Sequence, residues 1–515
     1  MNRPLALLGA TTLAVAALLT GFATPAAAAE TAVAVASKMF TESVVLGEVL
    51  KQALEATGLR QVEHKAELGG TRVLFDGLAA GELDAYVEYT GTLREEIFSG
   101  EDVATDRMLA DALAERGILM SAPLGFNNPY AIAVLRETAQ RLNLERVSDL
   151  REHPELRVGL SNEFLQRGDG WPALRAAYRL PQRAVEGMDH NLAYLRLRAG
   201  EVDLIDAYAT DAELSRDDMV VLEDDLAHFP RYDSVVLFRE ATADAEPRLA
   251  AAIDSLVGKI STQRMAAMNA EVKFDGKTEA EVAAEFLADE LGVSRSTPLP
   301  KQTVAAAIAR RTWQHLGLVL GSLLPAITVA IPLGIVAAKS PAIGQVILAA
   351  VGIVQTIPSL ALLALLMTAA IRLEIKTLGE WSPAALGALF LYSLLPIVRN
   401  TAAGFSGIAP QLRESAEALG LSPAYRLRRI ELPLAAPMIL AGVKTAAVMN
   451  IGFAALGALI GAGGYGQPIM TGIRLNNIGI ILQGAIPAAV LAIVVQLGFE
   501  LAEKRLVAPA LRQAA

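Results

Sequence analysis

The sequence predicts a soluble α/β domain with two lobes, followed by an all-α domain that crosses a membrane several times. The 515-residue chain is 53% hydrophobic, which is too apolar for a wholly soluble protein. From Leu299 onward it has no Asp, 7 Glu and 16 Lys plus Arg, so that part carries +9 and the first 298 residues carry −19. Short apolar runs alternate with helical patterns in the first part, whereas runs of about 20 apolar residues fill the second.

The composition argues against several functional classes. An acidic soluble domain disfavours nucleic acid as a partner, because nucleic-acid binding asks for a basic face. The chain has no cysteine, which excludes disulfides, thiolate nucleophiles and Cys-ligated metals. Its five histidines show no spacing suited to a metal site, so we expect neither a metal nor another cofactor. No cluster of nucleophile, base and orienting residue is evident, so we expect no catalytic residues.

The amino-terminal residues have the three regions of a secretory signal. Arg3 precedes an apolar run over 5–22, and an alanine tract ends at Ala29, where small residues suit a cleavage site. At the other end of the acidic part, Pro298 and Pro300 mark a domain boundary. The predicted segments are a signal peptide over 1–29, an extracytoplasmic domain over 30–298 and a membrane domain over 299–515.

The extracytoplasmic domain has the alternating strands and helices of an α/β domain. Its first four elements are predicted as strand 33–36, helix 42–57, strand 62–66 and helix 73–80. An internal echo suggests two similar lobes, because Leu78–Tyr86 (LAAGELDAY) is answered by Leu197–Tyr208 (LRAGEVDLIDAY). In both stretches a helix ends at a glycine, and a Glu-x-Asp turn leads into a strand that carries a tyrosine.

Five apolar segments have about the length that a bilayer requires. They are Leu316–Ala338, Ile343–Ile371, Pro383–Val398, Leu434–Ile460 and Ile478–Leu501. Basic residues in the loops decide the orientation. One set of loops holds Lys339, Arg399, Arg413, Arg426, Arg428, Arg429, Lys504, Arg505 and Arg512, and the other holds Arg372, Lys376 and Arg474. The first side is therefore predicted to be cytoplasmic, which places the α/β domain outside.

A polar stretch, residues 414–433, interrupts this apolar region. The spacing of Leu412, Ala416 and Leu419 predicts a short helix that ends at Gly420. A second short helix is predicted to begin at Ser422 and Pro423, and Pro433 is predicted to mark the turn back into the next apolar segment. Taken by itself, the stretch is equally compatible with an ordinary cytoplasmic loop.

The spacing of this stretch resembles the EAA loop of ABC importer permeases. The pattern is a Glu, an Ala, a Gly and a later Ile-x-Leu-Pro, and the matching residues are Glu414, Ala416, Gly420, Ile430, Leu432 and Pro433. The resemblance implies that the loop over 409–433 forms coupling helices that sit in a cleft of a separate cytoplasmic ATPase.

Seven motifs of the soluble domain resemble the substrate-binding proteins of quaternary-amine ABC importers, which bind glycine betaine, choline, carnitine or proline betaine. They are SKMFTE at 37–42, GGT at 69–71, EYTGT at 88–92, GFNNPY at 125–130, RGDG at 167–170, AYATD at 207–211 and FPRYD at 229–233. The resemblance implies a two-lobed fold like that of periplasmic binding proteins, ahead of a type I ABC importer permease with five spans.

The same resemblance assigns the binding residues. A cage for the methylated ammonium falls on Tyr89, Tyr130, Tyr208 and Tyr232, and a site for the substrate carboxylate falls on Lys38, Thr92 and Arg167. A quaternary ammonium has no N–H to donate, so ring faces bind it, at ~0.5–2 kcal/mol per contact. A carboxylate instead favours charge-assisted donors. The alternatives are tyrosines that pack a core, and Lys38 and Arg167 as solvated surface charges.

These observations predict the substrate-binding and permease subunit of an ATP-driven importer for quaternary-ammonium solutes. The chain lacks a G-x-x-x-x-G-K-[ST] motif, so ATP hydrolysis is assigned to a partner. One coupling loop implies a second permease half in the bilayer, either another copy of the chain or a paralogue. Two alternatives remain open: an importer of another zwitterionic methylated amine, such as a methylated histidine derivative, and a membrane-tethered sensor. A sensor would usually have only one or two spans.

Overall fold

A computed structural model describes residues 32–59, 61–215, 218–293, 303–373, 375 and 377–506. The predicted signal peptide and the predicted boundary at Pro298 and Pro300 lie outside the described residues. Within them, an α/β domain precedes a helical membrane domain, as the sequence predicts.

Two five-stranded sheets form the centres of two lobes. The strands in the described residues are β1 Val33–Ala36, β2 Val62–Lys65, β3 Ala85–Tyr89, β4 Ile118–Met120, β5 Tyr130–Leu135, β6 Val158–Ser161, β7 Val185–Met188, β8 Leu204–Tyr208, β9 Met219–Leu222 and β10 Ser234–Arg239. Lobe one has the order β2-β1-β3-β10-β4, and lobe two has the order β7-β6-β8-β5-β9. The chain therefore crosses between the lobes twice, and a bridge between Asn127 and Asp233 joins the two crossings.

Helices connect these strands and complete lobe one. They are α1 Thr41–Ala56, α2 Thr71–Ala79, α3 Asp106–Ala114, α4 Arg136–Leu142, α5 Asn162–Gln166, α6 Trp171–Tyr178, α7 His190–Arg198, α8 Glu240–Ala245, α9 Arg248–Leu256, α10 Thr262–Lys273 and α11 Glu279–Leu291. Helices α9 to α11 pack against α1. Their apolar side chains and those of both sheets form a continuous core.

The internal echo has a structural counterpart in the aspartates of the two turns. Asp84 accepts a hydrogen bond from the backbone N–H of Ala34, and Asp203 accepts one from that of Arg157, each at 2.8 Å. Each aspartate thus ties its turn to the neighbouring parallel strand. The prediction of two similar lobes is confirmed.

The tyrosine correspondence within the echo needs a correction. When the two turns are aligned on their aspartates, Tyr208 corresponds to Tyr89 rather than to Tyr86. Tyr89 and Tyr208 are the last residues of β3 and β8, whereas Tyr86 is fully buried in lobe one. The two equivalent tyrosines therefore lie at strand ends.

The membrane domain consists of helices of very different length. They are α12 Val304–Lys339, α13 Pro341–Thr356, α14 Ser359–Arg372, α15 Pro383–Ser406, α16 Pro410–Ala418, α17 Pro423–Arg426, α18 Leu432–Phe453, α19 Gly466–Arg474 and α20 Ile478–Leu506. Among the described residues, four helical stretches are long and apolar enough to span a membrane: Val304–Lys339, Pro383–Ser406, Pro423–Ile460 and Ile478–Arg505. Helices α13 and α14 together make a fifth candidate.

This fifth candidate, the predicted span over 343–371, is bent by 100°. The break falls at Ile357, which has an extended backbone with φ −70° and ψ 126°. Proline disfavours the helical conformation in the residue before it, so Pro358 accounts for the break. Pro325 and Pro332 instead lie inside the continuous helix α12.

Lobe one and the polar stretch lie at opposite ends of α15 and α18. Helix α15 begins just after residues 377–378, which contact lobe one, and it ends just before α16. Helix α18 leads into the 3₁₀ helix Ala454–Ile460, where the carbonyl of Leu459 accepts a hydrogen bond of 2.9 Å from the backbone N–H of Gly69. The two parts are therefore separated by the length of these helices.

Candidate functional site

A cavity of about 230 Å³ lies where the two lobes meet. Pockets for drug-sized ligands measure about 300–1,000 Å³, so this cavity suits a more compact solute. Six of the seven predicted substrate-binding residues line it: Lys38, Tyr89, Thr92, Tyr130, Tyr208 and Tyr232. The seventh, Arg167, does not.

Aromatic rings from both lobes surround the cavity. The ring centroids of Tyr130 and Tyr208 lie 5.0 Å apart, and the ring of Tyr232 stands at 87° to that of Tyr130, 5.9 Å away. From lobe one, the ring of Phe40 lies 6.2 Å from that of Tyr208 and 6.4 Å from that of Tyr89. These rings present π faces at several angles, which suits a cation that has no N–H to donate.

The β-sheet register explains why the tyrosines meet. Tyr130 begins β5 and Tyr208 ends β8, and the two residues are direct antiparallel partners. Tyr89 ends β3 of lobe one, opposite Ser234 of β10. The cavity thus lies at the strand ends where the two sheets face each other.

Lys38 lines the cavity, but its ammonium group already has partners. Its Nζ lies 2.5 Å from Oε1 of Glu88 and donates a hydrogen bond of 3.2 Å to Thr71. The same ammonium lies 5.3 Å from the ring centroid of Tyr89. Glu88 is fully buried, and a buried carboxylate without a partner would be strongly destabilising. The contacts of Lys38 therefore neutralise Glu88 and support the cage.

Arg167 lies behind the cage rather than in the cavity lining. Its Nε and Nη2 each donate a hydrogen bond of 2.8 Å to Asp169, and its guanidinium carbon lies 5.7 Å from the ring centroid of Tyr130. The carboxylate of Asp169 also accepts a hydrogen bond from the hydroxyl of Tyr232. In this arrangement Arg167 positions two cage rings, and a direct contact between it and a solute carboxylate remains a prediction.

Glu42 joins the parts that enclose the cavity. Its carboxylate accepts hydrogen bonds from the hydroxyls of Tyr89 and Thr210, and from the side-chain amides of Asn128 at 2.9 Å and Asn269 at 3.1 Å. Burial raises the pKa of Glu42 above its ordinary value, and the bonds from Thr210, Tyr89 and Asn269 oppose that shift. Because the donors belong to lobe one, a crossing, lobe two and α10, Glu42 ties all of them together.

His190 is a further residue of the cavity lining. Its ring centroid lies 4.7 Å from that of Tyr208, and its Nε2 lies 2.9 Å from a carboxylate oxygen of Asp211. Burial opposes a charge on the ring, but the carboxylates of Asp211 and Asp206 raise the pKa of His190 well above its ordinary value. The ring is therefore positively charged at neutral pH.

Four further site residues lie in stretches that the sequence already marks. Phe40 and Glu42 lie inside the motif SKMFTE, and Asn128 lies inside GFNNPY. His190 begins α7 directly after β7, just as Thr71 begins α2 after β2, and both line the cavity. When the internal echo is extended to include the preceding helix, His190 aligns with Thr71, so the sequence alone indicates His190 as a cavity residue.

The polar stretch forms the two predicted short helices. Helix α16 ends before Gly420, whose φ of 70° is the left-handed conformation that glycine adopts at least cost. Ser422 then caps α17, because its side chain accepts a hydrogen bond from the backbone N–H of Tyr425. The prediction that Pro433 marks a turn is wrong. Helix α17 continues through the π-helical turn Leu427–Glu431 into α18, and Pro433 lies just after that turn, where the regular i→i−4 hydrogen bonding is already interrupted.

Ion pairs hold the polar stretch in place. Glu431 lies 3.0 Å from Nζ of Lys339 at the end of α12 and 3.9 Å from Nε of Arg413 on α16, and Arg426 lies 3.3 Å from Glu417.

The residues of the polar stretch differ in exposure. Ala416 is buried, Glu414, Gly420 and Pro433 are exposed, and Ile430 and Leu432 are half-buried. Large apolar side chains are nevertheless open to solvent: Leu412, Leu419 and Tyr425. A fixed loop that presents apolar side chains suits docking to another protein.

The fold and the site define a class of protein, a two-lobed solute receptor joined to a polytopic membrane transport domain. Residues 31–289 match the family model of the substrate-binding domain of ABC-type glycine betaine transport systems. Residues 330–508 match the model of the binding-protein-dependent transport system inner membrane component. The chain belongs to this family of ABC importers, and it carries the solute-binding and the permease parts of an osmoprotectant importer in one polypeptide. Membership implies a small substrate and an ABC ATPase partner.

Several known proteins resemble parts of the chain. The choline transport permease OpuBB of Bacillus subtilis is 39% identical over 205 residues, which cover 40% of this chain and 91% of that protein. The carnitine transport permease OpuCB of Listeria monocytogenes is 39% identical over 204 residues, 40% of this chain and 90% of that protein. The ergothioneine permease and binding protein EgtU of Helicobacter pylori is 31% identical over 265 residues, 50% of this chain and 47% of that protein. A solved structure titled glycine betaine/carnitine/choline ABC transporter has 28% identity and a TM-score of 0.45. The match covers 50% of this chain and 98% of the chain in that structure.

Proposed function

We propose that this chain captures a quaternary-ammonium solute outside the cytoplasmic membrane and passes it through its own membrane domain, driven by a separate ATPase. The observation that carries the proposal is the cavity between the lobes. Its size suits a compact solute, and rings from lobe one, lobe two and a crossing face it: Phe40, Tyr89, Tyr130, Tyr208 and Tyr232. Such rings bind a methylated ammonium through their faces.

The charges around the cavity also favour an ammonium group. The acidic residues of the lining are Glu42, Glu163, Asp189, Asp211 and Glu213, and the basic ones are Lys38, His190, Lys273 and Arg474. The bases are engaged by carboxylates: Lys273, for example, lies 2.5 Å from Glu213, and His190 is paired with Asp211. A positive ligand charge therefore meets paired bases and aromatic faces rather than a free cation.

Four segment assignments and one oligomeric state complete the proposal. Residues 1–29 form a signal peptide, 30–298 the extracytoplasmic binding domain, 299–515 the membrane domain and 409–433 the coupling loop. The basic loops support a cytoplasmic location for the coupling loop. Its exposed apolar side chains and Gly420 turn support docking to the ATPase. Because an importer needs two permease halves, we assign a homodimer with two receptor domains outside.

A second candidate solute is a zwitterionic methylated histidine. The identity with the ergothioneine permease and binding protein supports it, although the chain spans about half the length of that relative. The same aromatic cage would hold its ammonium group.

Calorimetric titration of the purified full chain tests the solute class. The panel is glycine betaine, choline, carnitine, proline betaine and ergothioneine, with proline as the ligand that lacks a methylated ammonium. We expect saturable binding of at least one methylated compound and much weaker binding of proline. Binding of proline alone, or of no compound with a quaternary ammonium, would contradict the proposal.

A further inference from the structure

One residue of the membrane domain takes part in the cavity between the lobes. Arg474, at the end of α19, lines that cavity and is only 6% exposed. Its Nε donates a hydrogen bond of 2.8 Å to Glu67, its Nη2 one of 2.6 Å to Glu279 and its Nη1 one of 3.2 Å to Thr41. A buried guanidinium that joins three elements of lobe one fixes their positions relative to the membrane domain.

Glu67 lies in a constrained segment that runs from this contact into the cavity. Its φ of 61° is left-handed, which is uncommon for a residue other than glycine, and its other carboxylate oxygen accepts a hydrogen bond of 2.7 Å from Thr471. The next residue, Leu68, is fully buried against Gly461, where a Cβ would lie 2.7 Å from its Cδ2. Gly69 then donates its backbone N–H to the carbonyl of Leu459.

Helix α2 follows directly and is held at both ends. At its start, Gly69, Gly70 and Thr71 line the cavity, and Thr71 accepts the hydrogen bond from Lys38. After it, Glu82 accepts hydrogen bonds of 2.6 Å from the backbone N–H groups of residues 377 and 378 in the membrane domain. The side chains of α2 share one hydrophobic core with the membrane helices. A displacement of α2 at its cavity end therefore also changes the contacts that α2 and Glu82 make with the membrane domain.

We propose that Arg474 makes the membrane domain one wall of the solute cavity, so that the Glu67–Arg474–Glu279 cluster couples solute binding to docking of the receptor domain. The contacts named above all belong to lobe one and its carboxyl-terminal helices. Lobe two can therefore close over the solute while lobe one stays anchored. By thermodynamic linkage, solute that closes the cavity must strengthen docking as much as docking strengthens solute binding.

Hydrogen exchange of the full chain in lipid nanodiscs measures this coupling. The relevant amides are those of residues 67–71 and 377–379, because Gly69, Thr377 and Leu378 donate across the contact. The probes are glycine betaine and choline, so the measurements with bound solute rest on the proposed function. In the native chain we expect either bound solute to slow exchange in both segments.

Arg474→Gln is the test variant, and Arg372→Gln is its control, because Arg372 is exposed at the end of α14. The first change leaves the buried carboxylate of Glu67 and the half-buried carboxylate of Glu279 without their cation. We expect at least about tenfold faster exchange in both segments without solute, and at least about tenfold weaker solute binding. The solute-dependent slowing should disappear. Arg372→Gln should match the native chain in all three readouts.

Two results would overturn the proposal: native exchange in Arg474→Gln, or faster exchange with unchanged solute affinity. Unchanged exchange in β3 and α15 shows that a variant is folded. If Arg474→Gln fails that check, Glu279→Gln keeps the pair between Arg474 and Glu67 and should show the same coupled losses at smaller size; native behaviour in it overturns the proposal. If the native chain binds neither probe, the exchange experiment with solute uses a methylated compound of the calorimetric panel that does bind. If no such compound binds, the proposed function fails, whereas the solute-free exchange comparison still decides whether Arg474 anchors the domain.

Discussion

The hydroxyl of Tyr232 donates a hydrogen bond to the carboxylate of Asp169, and that carboxylate is itself fixed by two hydrogen bonds from Arg167. The guanidinium of Arg167 thus positions the ring of Tyr232 through Asp169. Glu96 lies 3.3 Å from Arg167 on its far side, which keeps the guanidinium in place. The chain Arg167–Asp169–Tyr232 therefore sets the orientation of one cage wall.

This relationship predicts how solute affinity responds to Arg167. If Arg167 only orients Tyr232, Arg167→Gln should weaken glycine betaine and choline to a similar extent, by about tenfold. Calorimetry with both ligands measures the two losses of affinity, and Asp169→Asn should likewise weaken both ligands to a similar extent. A loss confined to glycine betaine would instead show that Arg167 binds the solute carboxylate directly.

The second prediction concerns the cage itself. Tyr208→Ala removes one ring of a desolvated cage and should weaken binding of the methylated ammonium by about 2 kcal/mol, which exceeds tenfold. Tyr208→Phe keeps the ring and loses only a hydroxyl that lies 3.4 Å from that of Tyr130, so it should bind nearly as the native chain does. Equal affinities for the Ala and Phe variants would show that the ring face makes no contact with the solute.

A third prediction follows from the charge on His190. Burial opposes that charge, but Asp211 and Asp206 raise the pKa, so the ring stays protonated at neutral pH and loses its proton only as the pH rises through the raised value. Deprotonation removes a positive charge from the cavity lining. Choline, a cation, should therefore bind more tightly at higher pH, by on the order of tenfold once the ring is neutral.

Calorimetry over a series of increasing pH that starts at neutrality checks this expectation. Zwitterionic glycine betaine should change less than choline, and the variant His190→Asn should flatten the choline profile. The stability that the charged ring contributes should be fully present below its unfolded pKa and decline as the pH rises through the folded value. A choline affinity that falls as the pH rises would contradict the assigned charge.

The fourth prediction concerns the coupling loop. Gly420 has a left-handed φ, and in the described part of the chain no heavy atom beyond its chain neighbours lies within 4 Å of a Cβ placed there, so the loop itself has room for a larger side chain. Asparagine tolerates this conformation, and Gly420→Asn should retain most uptake. Gly420→Trp places a bulky group on the surface that we propose docks to the ATPase, and it should abolish solute-stimulated ATP hydrolysis while leaving solute binding intact. Uptake that survives the Trp change would mean that the loop is only a connector.

Local features of the fold were predictable from the sequence. Strand 33–36 was predicted with its observed bounds, and the helix predicted over 42–57 is Thr41–Ala56. Apolar periodicity and glycine caps act over a few residues, so they can be read without tertiary contacts. The spans follow equally from hydropathy, and Pro358 accounts for the break in the second one, but hydropathy does not specify the 100° angle between its two halves.

The site was predictable only in part, because its decisive contacts join distant segments. The motif positions predict the four tyrosines that line the cavity. The role of Glu42, however, depends on a hydrogen bond from Asn269, which is far away in the sequence. Arg167 is a binding donor by motif, but its pairing with Asp169 appears only in the folded structure. Arg474 was read as a loop charge, since nothing in its sequence neighbourhood indicates a contact with lobe one.

The most direct measurement is uptake of labelled glycine betaine and choline into vesicles that contain the full chain and its partner ATPase. The account predicts accumulation of at least one of these solutes that requires ATP in the ATPase compartment and is lost in Gly420→Trp. Tyr208→Ala should lower uptake at limiting solute and restore it as the solute concentration rises. Solute binding and intact assembly with the ATPase, but no ATP-dependent uptake, would contradict the importer and leave a membrane-tethered sensor.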